Sequence, residues 1–172
     1  LAASNAHVFT NTQELQLGDM DILKDPTFFN NALITVAGAI SVNEALTIIS
    51  TADINLQGFA FDTNSAGAAS KGFPITIIAG ANVVPPLASP PSGNAAAGTG
   101  ISSGTVKIAP SANPGGGSLT GGTITCNGCS FNTASTGAGL AGGKVMLIAY
   151  DSGANGAINL NIASSINTSS TS

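Results

Sequence analysis

The sequence predicts an all-β chain wound as a parallel β-helix, a β-solenoid, and three observations predict it. The first is a run of five apolar-x-apolar triplets between Leu33 and Asp62: Ile34-Thr35-Val36, Ile40-Ser41-Val42, Leu46-Thr47-Ile48, Ile54-Asn55-Leu56 and Phe59-Ala60-Phe61. Alternation of period two buries one face of a strand, whereas a helix needs apolar residues three and four apart. The second is their spacing. Successive triplets start six, six, eight and five residues apart, which leaves about three residues per strand, too few for ordinary antiparallel hairpins of about 5–6 residues a strand. The third is recurrence. Leu46-Thr47-Ile48-Ile49-Ser50 is echoed by Ile75-Thr76-Ile77-Ile78-Ala79, more loosely by Val106-Lys107-Ile108-Ala109, and by Val145-Met146-Leu147-Ile148-Ala149, at offsets of 29, 31 and 39 residues. Asp53-Ile54-Asn55-Leu56 follows the first copy and Ala157-Ile158-Asn159-Leu160 the last. Stacked units of this kind bury their apolar faces only against one another.

Taken in order, the chain divides into four stretches of one elongated domain, 1–172. Residues 1–30 hold the single His, half of the acids and the pair Phe28-Phe29, and read as a cap or docking segment. Residues 31–84 are the clearest coils. Residues 85–104 open on Pro85-Pro86 and include Pro90-Pro91; proline has no N–H to give a ladder, so a long Pro/Gly-rich excursion is expected. Residues 105–172 return to short strands between Gly-rich turns and end in a Ser/Thr/Asn tail. Handedness follows the general preference for right-handed crossovers. The alternative architecture is a β-sandwich completed by a strand donated from a neighbouring subunit, with residues 1–17 as the donated strand.

Composition narrows the class. Of 172 residues 7% are charged and 5% aromatic, with 22 Gly, no Trp and no Arg, while mean hydropathy is +0.35. Ordinary domains carry about 25% charged residues, so solubility here rests on Ser, Thr and Asn. Disorder pairs low hydrophobicity with high net charge, and neither holds. The net charge is -4, and Lys24, Lys71, Lys107 and Lys144 stand singly. Phosphate neutralisation needs clustered Lys and Arg, so no nucleic-acid partner is expected. Runs of about 18 apolar residues and basic amphipathic helices are both lacking, so no membrane insertion is expected. The chain begins at Leu1, which points to a removed leader or to a piece of something longer. Few charges with many Ser, Thr, Asn and Gly is the habit of secreted and surface proteins, so an extracellular or cell-surface location is expected.

Each pattern that imitates a catalytic or ligand site has a plainer account. Cys126-Asn127-Gly128-Cys129 is the only cysteine pair. Redox C-x-x-C motifs rely on a following helix to lower a thiol pKa, and zinc would need two further ligands where His7 is the only imidazole. Asn-Gly favours a tight turn, so Cys126 and Cys129 are expected to form a small disulfide clamping a loop. Gly137-Ala138-Gly139-Leu140-Ala141-Gly142 matches G-x-G-x-x-G, but the glycines precede a strand, whereas a dinucleotide site needs them between a strand and a helix. Asp19-Met20-Asp21 pairs two carboxylates, as glycoside hydrolysis requires, without a second acidic cluster. Phe28, Phe29 and Phe131 are the aromatics expected to be exposed for sugar stacking. No catalytic residue, cofactor or metal is assigned.

Gly142-Gly143-Lys144-Val145-Met146-Leu147-Ile148-Ala149, then Gly156-Ala157-Ile158-Asn159-Leu160 and residues 162–168, resembles the coils of bacterial surface and secreted proteins of the filamentous-haemagglutinin type, as does Gly18-Asp19-Met20-Asp21-Ile22-Leu23. The resemblance covers about two thirds of the chain and implies an exported right-handed β-helix serving as an adhesive or structural rod, not an enzyme. Members of that family are usually far longer, so a short unit would gain length by assembly. A solenoid has two open ends, and contact between unlike ends gives an open filament unless it closes a ring. The expected function is therefore an extracellular structural protein whose partner is itself, joined head to tail, with Val8, Leu15 and Leu17 at the joint. The alternatives are a monomeric surface adhesin binding surface glycans and a carbohydrate-active β-helix enzyme.

Overall fold

The computed structural model describes residues 2–3, 7–10, 12–22, 26–64, 70–84, 107–110, 121–151 and 156–170. Among them there is no helix. A first strand, β1 (Ala2–Ala3), is followed by three per coil: β2 (His7–Thr10), β3 (Glu14–Leu17) and β4 (Met20–Ile22); then β5 (Thr27–Asn30), β6 (Leu33–Val36) and β7 (Ile40–Val42); then β8 (Leu46–Ser50), β9 (Ile54–Asn55) and β10 (Ala60–Asp62). The fourth coil is broken after β11 (Ile75–Ala79) by β12 (Ala81–Val84) and β13 (Lys107–Pro110), and resumes with β14 (Ile124–Cys126) and β15 (Ser130–Asn132). β16 (Val145–Ala149), β17 (Ile158–Leu160) and β18 (Ser165–Asn167) make the fifth.

The coil strands stack in three parallel sheets: sheet I in the order β1-β4-β7-β10-β15-β18, sheet II β2-β5-β8-β11-β16 and sheet III β3-β6-β9-β14-β17. The chain visits them in the same order each time, which is winding in coils, the arrangement expected of a β-solenoid. Three of the five triplets lie wholly on strands of these sheets, and the other two overlap β9 and β10, with Leu56 just after β9 and Phe59 just before β10. The Leu46, Ile75 and Val145 segments lie side by side in register, with Ile77 opposite both Ile48 and Leu147. Ile54, Ile124 and Ile158 align likewise in sheet III.

Four expectations are corrected. Winding starts before residue 31, because β2 to β5 already pair in register with the coils that follow. The donated-strand sandwich is not the fold: all pairs in the three large sheets are parallel, and residues 7–10 and 14–17 are strands of the chain's own first coil. Of the segment Val106-Lys107-Ile108-Ala109, Val106 lies outside the described residues and the rest is no coil strand, since β13 pairs antiparallel with β12, Val84 opposite Lys107. Finally, Phe28 and Phe131 are core residues, each 1% exposed. The Pro-rich stretch 85–104 lies outside the described residues.

Register turns sequence alternation into columns of like side chains. Met20, Ile40, Phe61, Phe131 and Ile166 form one column in sheet I, with the rings of Phe61 and Phe131 stacked 5.1 Å apart. In sheet II Val8, Phe28, Ile48, Ile77 and Leu147 do the same. Sheet II is also apolar outside. Ile49 and Ile78 are buried there with Ala81, and Phe29, Ile148 and Tyr150 pack against them. Consecutive apolar pairs such as Ile48-Ile49 and Ile77-Ile78 break the alternation and mark this second buried face.

Corners are held by buried polar side chains, which must be hydrogen-bonded to be tolerated. Asn30 donates from Nδ2 to the carbonyls of Thr12 (3.1 Å) and Leu33 (2.9 Å), and its Oδ1 accepts from Thr12 N (3.2 Å). At the equivalent position one coil on, Ser50 Oγ accepts from Ala52 N at 2.9 Å. Thr63 and Thr133 close another corner, donating to the carbonyls of Phe73 (2.6 Å) and Gly143 (3.1 Å).

Candidate functional site: the open end of the coils

The core columns end differently from how they run. Ile54 and Ile124 are fully buried, yet Ile158, next in their column, is 43% exposed. Phe131 is followed by Ile166 at 51%, and Cys126 by Leu160 at 38%. The cause is position: β16, β17 and β18 are the last strands of their sheets among the described residues, so their core-directed side chains lack the next coil. Among the described residues, the same three strands have one ladder edge with no strand beside it. An open end therefore joins an apolar surface to three rows of backbone donors and acceptors, a template for further strands.

The opposite end carries the expected joint residues. Val8 and Leu15 are half-buried against the core and Leu17 is buried. They point inward, as the first members of the columns that Leu147, Ile158 and Leu160 finish. β2 and β3 are accordingly the edge strands of sheets II and III there. Reasoning from residues alone placed the joint at this N-terminal end and missed Ile158, Leu160 and Ile166.

Cys126 and Cys129 are joined by a disulfide. It spans the turn between β14 and β15 and lies beneath the open end, with Cys126 opposite Leu160 and both residues buried. Cys126 Sγ lies 3.1 Å from Ser164 Oγ and accepts from Cys129 N at 3.0 Å. The intact mass is expected two hydrogens below the reduced value, with neither thiol open to labelling in the native state. Closing so small a loop contributes about 2 kcal/mol by the chain-entropy relation. Reduction should lower unfolding stability by about that amount, measurable by denaturant titration.

The other sequence patterns resolve structurally. Of the glycine series, Gly142 and neighbouring Gly143 lie where a Cβ would come within 2.3 Å of Thr168 O and 2.2 Å of Phe73 O. Backbones approach too closely there for a side chain, and the glycines serve coil stacking. Of the Asp19-Met20-Asp21 pair, Asp21 belongs to β4, and Asp19 lies just before it, its Oδ1 accepting from Ala39 N of the next coil at 3.0 Å. No group of three His, Cys, Asp or Glu residues able to hold a metal occurs among the described residues.

Along sheet III, Asn55, Gln57, Thr125, Asn127, Asn159 and Asn161, together with Cys126, Ile158 and Leu160 of the open end, line a shallow trough. Its amides are ordered partly by one another, Asn161 Nδ2 donating to Asn127 Oδ1, and partly by the backbone, Asn55 Oδ1 accepting from Gln57 N at 3.1 Å. The trough is uncharged and sets amide and hydroxyl donors and acceptors beside the apolar Ile158 and Leu160. Comparison with protein-family models, with curated proteins and with solved structures finds no match.

Proposed function

We propose that the protein is an extracellular structural protein, the subunit of a self-assembling filament or surface appendage formed by right-handed β-helical coils. The joint is the stacking of one copy's last coil on another's first, in the manner expected of a rod like the filamentous-haemagglutinin type. The observation that carries this reading is the open end, where Ile158, Leu160 and Ile166 continue the core columns into solvent. A second copy is the fitting occupant because its first coil brings Val8, Leu15 and Leu17, the opposite ends of those columns, and its own unpaired edges. Contact of this kind is heterologous and propagates. The scarcity of charge, 7% of residues, leaves little to oppose edge-to-edge pairing.

Apolar contact and backbone hydrogen bonds would hold such a joint, and salt screens mainly exposed charges. Purified chain should give long particles by sedimentation and negative-stain microscopy, unchanged at about 1 M salt, where the Debye length is about 3 Å. A strict monomer at every concentration overturns the reading. In that case a monomeric adhesin becomes the better account, favoured by the trough of Asn55, Thr125 and Asn159, whose neutral amides and hydroxyl suit the hydroxyls of a surface glycan.

A further inference from the structure

The outward residues of sheet III form a ladder without a charge. Gln16, Thr35, Asn55, Thr125 and Asn159 stand opposite one another through the register of β3, β6, β9, β14 and β17, and each is exposed or half-buried. Parallel strands lie about 4.8 Å apart, so these amides and hydroxyls run about 19 Å along the coil axis. Two hollows follow them and meet at Gln57. One is the trough of Asn55, Thr125 and Asn127 described above, and the other is lined by Gln16, Thr35 and the half-buried Phe59. Gln57 lines both. Its φ is 59°, whereas the other described residues with positive φ, Gly80, Gly128, Gly139 and Gly156, are all glycines. A side chain in that conformation is disfavoured relative to glycine, so the turn is held from outside: Gln57 N donates to Asn55 Oδ1 (3.1 Å) and its carbonyl accepts from Asn127 N (2.5 Å). The result is an exposed amide side chain at the junction of the two hollows.

We propose that this lateral face binds a neutral linear glycan laid along the coil axis, held across Gln57, with Phe59 as the ring on which one sugar packs. It enlarges the trough already named as suited to a surface glycan, and it does not rest on the filament, because the ladder runs along the side of the coils and stays open in monomer and filament alike. Three features select this ligand. Amides and hydroxyls present donors and acceptors together, matching sugar hydroxyls, and some are ordered in advance, Asn161 Nδ2 donating to Asn127 Oδ1, which lowers the cost of fixing them on binding. Phe59 packs against the core and so gives the C–H face of a sugar a fixed apolar surface beside orienting polar groups, the composition of a ligand site. The third feature is charge. No lining residue carries one, while Glu14 and Asp53 stand exposed two residues before Gln16 and Asn55. An acidic glycan would meet like charges there, which suppress a wrong partner. The rung of about 4.8 Å is also close to the length of one sugar in an extended chain, so each sugar meets one amide or hydroxyl of the ladder.

Isothermal titration calorimetry tests this with cellohexaose, xylohexaose, mannohexaose and chitohexaose as neutral probes and hexagalacturonate as the acidic one. At least one neutral probe should bind, and hexagalacturonate should not. Gln57→Gly keeps the left-handed turn and removes only the amide, while Phe59→Leu keeps apolar packing and removes the ring. Each should weaken binding at least about tenfold. Gln57→Asn, a residue that tolerates the left-handed region, restores an amide and should recover part of the affinity. Ser130→Ala, exposed on β15 of sheet I, should leave binding unchanged. Melting curves of the same samples separate lost binding from lost folding, and the two Gln57 variants carry the test if Phe59→Leu melts early. No binding of any neutral probe, binding of hexagalacturonate alone, or wild-type affinity in both Gln57→Gly and Phe59→Leu overturns the proposal. Sedimentation keeps the two readings apart: filaments that bind no glycan remove this site and leave the filament, and a strict monomer that binds does the reverse.

Discussion

Ile48→Asp and Ile77→Asp should each leave no folded protein. Both side chains are fully buried in the central coils, paired in register with each other and flanked by Phe28 and Leu147. Losing the isoleucine costs about 2–5 kcal/mol, and an unpaired buried carboxylate adds several more. Stability of a domain is typically about 5–15 kcal/mol, so either change consumes most or all of it. The effect should spread along the stack, because each coil is stable only against its neighbours. Thr125→Asp, on the exposed outer face of β14, is the control and should shift stability by no more than about 0.5 kcal/mol. Soluble yield and far-UV circular dichroism measure both. Native spectra for the isoleucine variants would refute the inward assignment of these columns.

The second large effect concerns assembly alone. Ile158→Lys combined with Ile166→Lys should leave the isolated chain folded, because these positions are 43% and 51% exposed and a lysine can lay its stem on apolar surface with its ammonium in water. Within a joint the same ammonium groups would sit between stacked coils, where desolvation costs several kcal/mol per ion. Polymerisation should weaken more than about a hundredfold, a change of about 2.8 kcal/mol, while thermal melting of the monomer shifts little. Sedimentation velocity and melting curves on the same samples separate the two outcomes. Filaments of wild-type length from the double variant would place the joint elsewhere.

The extent to which the fold was legible varies along the chain, and the reason is the same throughout. From Leu33 to Phe61 each triplet alternates cleanly, one face buried and one solvated, and these strands could be read without coordinates. In Thr27-Phe28-Phe29-Asn30 the alternation fails because Phe29 faces a second apolar layer while Phe28 faces the core. A pair of aromatics at consecutive positions therefore looked like exposed stacking surface, although both pack. Val106-Lys107-Ile108-Ala109 shows the opposite error. Three-residue alternation identifies a strand without naming its partner, and this one pairs antiparallel with β12. The candidate site was half legible: open ends follow from any solenoid, but which side chains stand in them depends on where the last coil lies.

The sequence by itself determined the class of strand, the inward and outward residues of the central coils, and the scarcity of charge that leaves edges unguarded. These are local properties, set by period-two alternation and composition. Only the tertiary structure decided that residues 7–22 already pair with the coils after them and that the outer face of sheet II is a second core. Each depends on which strand lies beside which, and in parallel pairing across roughly 20 to 70 residues that choice is made by register and coil stacking.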